Sequence, residues 1–126
     1  MSEIDPCHAI PMDPDDAFTA VSNSRRRQIV LSLDQSEGAL DARELALEIA
    51  AIENLLDPSD VTGKQRTRVY ISITQSHLET LDEMGVVEFA ERGKQVAPTD
   101  ATEPLANYIR RIETACYEPE GDDGSA

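Results

Sequence analysis

A mainly helical domain closed by a small β-hairpin is the fold class this chain predicts, on three observations. Apolar residues recur at helical spacing through successive stretches of the chain. Gly38, Gly85 and the Asp57-Pro58-Ser59-Asp60 loop separate those stretches. Two short β-prone runs, Val86-Val87-Glu88-Phe89 and Gln95-Val96-Ala97, flank the turn-forming Glu91-Arg92-Gly93-Lys94.

The elements follow in order. Residues 1–13, with Pro6 and Pro11 among acidic residues, read as a loose acidic lead-in, so the domain is expected to span 14–117. Asp15 to Val21 forms a short helix with Phe18 and Val21 on one face. Ser22-Asn23-Ser24 supplies N-cap chemistry, and Arg25 to Leu33 restarts the helix with Ile29, Val30 and Leu33 inward. Asp41 caps the next helix, Glu44 completes a capping-box-like pair, and Leu45, Ala46, Ile49 and Ile52 form the buried stripe. Thr62, with Gln65 as reciprocal partner, opens a long helix over about 63–84 that, after Gly63, meets neither Pro nor Gly before Gly85 stops it. The hairpin over about 86–98 is a wing. A last helix from about Glu103 to Tyr117 carries Leu105, Tyr108, Ile109, Ile112 and Cys116 along one side; Leu105, Tyr108, Ile109 and Ile112 are either packing or, as favoured here, a homodimer seam. Residues 118–126 read as a disordered acidic tail. Three helices followed by a two-stranded wing is the layout of a winged helix-turn-helix.

Composition narrows the function. The 126 residues are 40% hydrophobic but only 4% aromatic with no Trp, so one modest core of aliphatic side chains is expected. No apolar run reaches the length of a membrane span, and the acidic N-terminus lacks a signal-peptide layout; a cytoplasmic protein with no membrane partner is expected. Cys7, Cys116, His8 and His77 do not assemble four metal ligands, so neither metal nor cofactor is expected. There is no Gly-rich phosphate loop, no H-E-x-x-H and no nucleophile elbow, and the chain is not expected to be an enzyme.

Charge is the sharper guide. The net charge is −14, from 25 acidic and 11 basic residues. Taken alone, this opposes a polyanionic partner. Scarce Lys, an acidic surface and small apolar residues also suit a halophilic protein, and in molar salt the screening length falls to roughly 3 Å, so local charge decides. Val61 to Leu78 contains no acidic residue but holds Lys64, Arg66 and Arg68; Ala17 to Leu33 is also free of acid and holds Arg25, Arg26 and Arg27; the hairpin tip adds Arg92 and Lys94.

On a helical wheel Tyr70, Ile73, His77, Leu81 and Met84 face inward, and Gln65, Arg68, Ser72, Gln75, Ser76 and Glu79 lie opposite. Arg pairs with guanine and Gln with adenine through two hydrogen bonds, so Gln65, Arg68, Ser72 and Gln75 are candidate base contacts. Lys64, Arg66, Arg25, Arg27, Arg92 and Lys94 are candidate phosphate contacts. The plainer readings stand beside these. The Arg25-Arg26-Arg27 triplet is structural, with Arg26 packing its stem inward against a carboxylate, His77 is a core histidine, Arg92 and Lys94 are ordinary turn residues, and the polar helix face is a solvated or protein-binding surface.

Two stretches resemble known proteins. Val21-Ser22-Asn23-Ser24-Arg25-Arg26-Arg27-Gln28-Ile29-Val30 and Gln75-Ser76-His77-Leu78 through Gly85-Val86-Val87 resemble the opening helix and the recognition-helix end of ArsR-like winged-helix regulators. The span from about Ala17 to Thr99, with Val61-Thr62, Arg68-Val69-Tyr70, Gln75-Ser76-His77-Leu78 and Gly85-Val86-Val87, is similar to a haloarchaeal winged-helix family of unknown function. The resemblance implies the fold and no DNA target. Against ArsR-like proteins, the connection from Leu45-Ala46 to the Ser-His-Leu segment is longer here. The expectation is a dimeric transcription regulator binding double-stranded DNA. The alternatives are a winged-helix adaptor that binds protein and never DNA, and a sensor holding a small molecule.

Overall fold

The computed structural model describes residues 9–116. Helix α1 (Pro14–Val21) begins where the Asp13 carboxylate accepts from the Asp15 amide and Pro14 sits in the first turn, where a missing amide donor costs nothing. Helix α2 (Ser24–Gln35) restarts at Asn23, whose side-chain oxygen accepts from the Arg25 and Arg26 amides at 2.9 and 3.1 Å. A two-residue strand β1 (Leu40–Asp41) runs into α3 (Ala42–Asn54), capped by the Asp41 carboxylate on the Arg43 amide at 2.7 Å. After a single 3-10 turn over Pro58–Asp60 come α4 (Gly63–Ser72), a π turn (Ile73–His77) and α5 (Leu78–Glu83), joined without a break into one rod. Strands β2 (Val87–Ala90) and β3 (Gln95–Pro98) form the wing, and α6 (Thr102–Ala115) closes the described chain.

The protein is therefore mainly helical with a small antiparallel sheet, ordered β1-β3-β2, in the arrangement of a winged helix-turn-helix. The hairpin pairs Phe89 with Val96 and Ala90 with Gln95, while Leu40 pairs Val96 from the other side. The sequence reading contained only the hairpin. A strand of two residues is too short for alternation to reveal it. At the turn, Gly93 and Lys94 both take positive φ, and the Lys94 carbonyl accepts from the Ala42 amide at 2.9 Å, fastening the wing to the start of α3.

The core is aliphatic, as the composition requires. Ile29, Val30 and Leu33 of α2 meet Leu45, Ala46 and Ile49 of α3, Val69, Ile73, Leu78 and Leu81 of the rod, and Val86, Val87 and Val96 of the wing. Burying each Leu, Ile or Val contributes about 1.5–3 kcal/mol. Three expectations are corrected here. Ile10 and Met12, assigned to a loose lead-in, pack against the core. Ile52, expected in the buried stripe of α3, is 48% exposed. Leu105 and Ile109, expected on a dimer seam, are fully buried beside Ala106 in the chain's own core, because α6 packs along α2. Only Tyr108, exposed, and Ile112, half-buried, remain of that seam. The proposed tail 118–126, Tyr117, Cys7 and His8 lie outside the described residues.

Helix ends follow their local chemistry. Thr62 and Gln65 form the expected capping box: Thr62 Oγ1 accepts from the Gln65 amide at 3.1 Å and Gln65 Oε1 accepts from the Thr62 amide at 2.9 Å. Helix α3 ends in a Schellman motif, with Leu56 N–H donating to Ala51 O and Leu55 N–H to Ile52 O. Its left-handed position, usually glycine, holds Leu55 at φ 54°, a conformation costing a branched L-residue roughly 1 kcal/mol. Thr99 Oγ1 donates to the Gly85 and Val86 carbonyl region and Thr102 Oγ1 donates to Val86 O at 2.7 Å, tying the entry of α6 to the end of the rod. Replacing Thr62 by Ala is expected to lower stability by about 1 kcal/mol in a denaturant titration. An unchanged midpoint would mean the capping box contributes nothing.

Candidate nucleic-acid interface

The rod presents two faces, and a five-residue turn over Ile73–His77 shifts the inward one. Leu78 N–H donates to Ile73 O, five residues back, where an α-helix would bond four back. Thr74, one residue into the turn, donates its hydroxyl to Tyr70 O at 2.7 Å, the kind of side-chain bond that competes with the helical ladder. The wider turn advances the inward stripe by one residue, so Val69, Ile73, Leu78 and Leu81 are buried. The wheel of an unbroken helix placed His77 at the centre of that stripe; it is half-buried at the edge, as are Tyr70 and Met84. Periodicity alone does not report a five-residue turn.

Outward, the rod exposes Lys64, Thr67, Arg68, Ile71 and Gln75, one ridge at helical spacing. Arg66 and Ser76 are also exposed, and Ser72 is half-buried on the ridge's flank. Arg68 and Gln75 therefore stand as the sequence placed them. Gln65 differs: its carbonyl oxygen is engaged in the capping box, leaving only its amide N–H groups, and bidentate pairing with adenine needs both ends. Ile71, 46% exposed, puts an apolar side chain in the middle of the ridge.

The sequence reading missed Arg43. It lies at the start of α3, exposed, with its guanidinium carbon 6.0 Å from the Tyr70 ring centre. Arg43, Arg66, Thr67 and Tyr70 line a hollow of about 110 Å³. Two cations, a hydroxyl and a phenol around one small concavity suit an anionic oxygen. The signal was available: Asp41-Ala42-Arg43 places a basic side chain in the first turn of α3, where acidic residues are the usual preference.

The remaining basic candidates are less free. Arg25 is clamped by Glu53, with Nε–Oε2 at 2.6 Å and Nη2–Oε1 at 2.9 Å, a bidentate pair that raises the arginine pKa. Arg27 donates to the Val21 carbonyl at 2.6 Å and reaches Glu113 at 3.4 Å. These bonds fasten α2 to α3, α1 and α6 respectively. On the wing, Arg92 is exposed, while Lys94 is half-buried with its ammonium 5.9 Å from the Phe89 ring centre. The far end of the rod is acidic: Glu79, Asp82 and Glu83 gather with Glu91 around Phe89. The carboxylate-free part of the rod is thus its N-terminal two-thirds.

Arg26 turns inward, but not onto a carboxylate. Its Nη2 donates to Thr19 O at 2.7 Å and Ser22 Oγ at 3.0 Å, Nη1 meets His77 Nδ1 at 3.3 Å, and Nε is buried without a partner. Since guanidinium only donates, His77 Nδ1 accepts and the ring is neutral with its proton on Nε2. Burial, then the Arg26 and Arg25 charges, hold the His77 pKa below its usual value. A folded pKa below 6.5 means the unfolded chain binds the proton more readily. The stability contributed by neutral His77 is therefore present above about pH 6.5 and declines as pH falls below it. Thermal midpoints at pH 7.5 and 5.5 should drop more for the parent than for His77→Gln, which keeps an acceptor for Arg26 but cannot titrate; equal drops would remove His77 from the account.

Among the described residues no three His, Cys, Asp or Glu side chains are placed to hold a metal ion, Cys116 is a free, exposed thiol, and no helix is long and apolar enough to cross a membrane. The chain matches no curated protein and no solved structure. A family model described as a domain of unknown function, DUF7344, matches residues 18–97, which run from the last turn of α1 into β3 and exclude α6. On that match, over more than half its length, the chain belongs to the DUF7344 family.

Proposed function

We propose that this protein is a DNA-binding transcription regulator that lays the N-terminal two-thirds of its rod in a major groove. The observation that carries this reading is the exposed ridge of Lys64, Thr67, Arg68, Ile71 and Gln75, in a segment free of carboxylates within a chain of net charge −14. A merely solvated ridge on so acidic a protein would be dominated by Glu and Asp. In this reading Arg68 and Gln75 meet base edges, with Ser72 beside them, and Ile71 packs on a thymine methyl. Lys64, Arg66, Arg43 and, from the wing tip, Arg92 contact phosphates. Arg25 and Arg27 serve instead to brace α2.

The acidic remainder fits operation in concentrated salt, as the resemblance to a haloarchaeal family also suggests. Counterion release adds little there, so hydrogen bonds and shape supply most of the affinity. Two-fold operators would call for a dimer. With Leu105 and Ile109 buried, its seam would run over Tyr108 and the exposed Phe18, which line one apolar hollow with Ile10 and Met12. One observation favours the rival adaptor reading: the exposed Ile71 would suit a protein partner as well as a thymine.

Fragments selected from the native genome at molar potassium separate the two readings, since only specific contacts persist under such screening. Arg68→Ala is expected to weaken operator binding by about 1–3 kcal/mol and relax preference at one base position. Lys64→Ala should weaken all sequences alike and lower the salt slope by about 1. No retained fragment at any protein concentration would transfer the ridge to a protein partner. Phe18→Asp is expected to shift sedimentation from dimer to monomer; a parent that is already monomeric would remove the seam.

A further inference from the structure

We infer that the C-terminal end of α3 is a docking surface for a basic, amphipathic segment of a partner protein. Ile52, Leu55 and Leu56 stand there with 48, 92 and 37% of their surface exposed, a contiguous apolar cluster on a chain of net charge −14. Leu55 is the informative member. Its backbone adopts the left-handed conformation that glycine fills without strain, and among the described residues its side chain packs against almost nothing. A leucine in that position brings strain to the free protein and no burial in return. The side chain has a use only when something covers it.

Charge identifies the occupant. Glu48, Asp57 and Asp60 line the hollow around the three apolar residues, and none of them forms an ion pair among the described residues. Glu53, on the same stretch of helix, is already matched by Arg25. A second copy docking through this surface would set carboxylates against carboxylates, and a nucleic acid would meet them with phosphates; both are repelled. A segment with apolar side chains on one face and Lys or Arg beside them satisfies both the leucines and the rim, in the manner of a helix laid in a groove. The surface shares no residue with the ridge of Lys64, Arg68 and Gln75, so the proposal stands whether or not that ridge binds DNA.

The test uses the full chain and a fluorescein-labelled synthetic helical peptide of leucine and lysine in amphipathic spacing, followed by fluorescence anisotropy. Leu55→Gly relieves the backbone and deletes the side chain without altering any charge. It is expected to raise the thermal midpoint and to weaken peptide binding about tenfold or more. A control peptide with every lysine replaced by glutamate is expected not to bind. Equal peptide affinity in Leu55→Gly and the parent would reduce the attraction to bulk charge and overturn the proposal. So would binding of the glutamate peptide, or a parent oligomer that Leu55→Gly dissolves, which would make the occupant a second copy.

Discussion

The hydrogen bond from Leu78 to Ile73 governs what the rod can present. It widens one turn, and every side chain beyond Ser72 is rotated relative to an unbroken helix. Leu78 enters the core and His77 moves to its margin, within reach of Arg26 on α2. Had the α-helical register continued, His77 would lie in the centre of the aliphatic core, where an imidazole lacks partners. Lys64 and Arg68 precede the wide turn and face outward by ordinary helical geometry.

The electrostatic layout has a similar economy. Acidic residues outnumber basic ones 25 to 11, yet they are missing from the first two-thirds of the rod and gather at its far end around Phe89. Several arginines are consumed internally. Arg25 grips Glu53, Arg110 holds Asp34 at 2.7 Å, and Arg27 spans Val21 and Glu113. These are part-exposed pairs, each contributing modestly, and their joint effect is to fix α2 and α6 against the rest. The exposed basic side chains are Lys64, Arg66, Arg68, Arg43 and Arg92, which lie on the rod, on the start of α3 or on the wing tip, and Arg111, which lies apart on α6.

Much of this was legible in the residues. The caps at Asn23, Asp41 and Thr62 follow from short polar side chains ahead of apolar periodicity, and the Gly85 stop and the hairpin follow from equally local chemistry. The failures are also local. The strand at Leu40–Asp41 is visible only through its partner Val96, fifty-odd positions away in sequence. The five-residue turn over Ile73–His77 keeps the apolar spacing of a helix on either side of it, so no spacing rule encodes it. Leu105 and Ile109 looked like a seam because an amphipathic stripe is the same whether its cover is α2 or another molecule. Arg25 and Arg27 looked free because their partners, Glu53 and Glu113, are remote in the chain. The outward placement of Arg68 and Gln75 was legible, since helical geometry alone turns them to solvent.

The bond between the Ala42 amide and the Lys94 carbonyl has a bearing on how the hairpin moves. A hairpin joined to its domain only at its base sways freely, and any ligand that gripped it would have to freeze that sway. Here the return strand is pinned at its turn to the same point from which Arg43 projects. The reach between Arg92 and Arg43 is consequently preset by the scaffold, and ordering it on contact forfeits little conformational entropy.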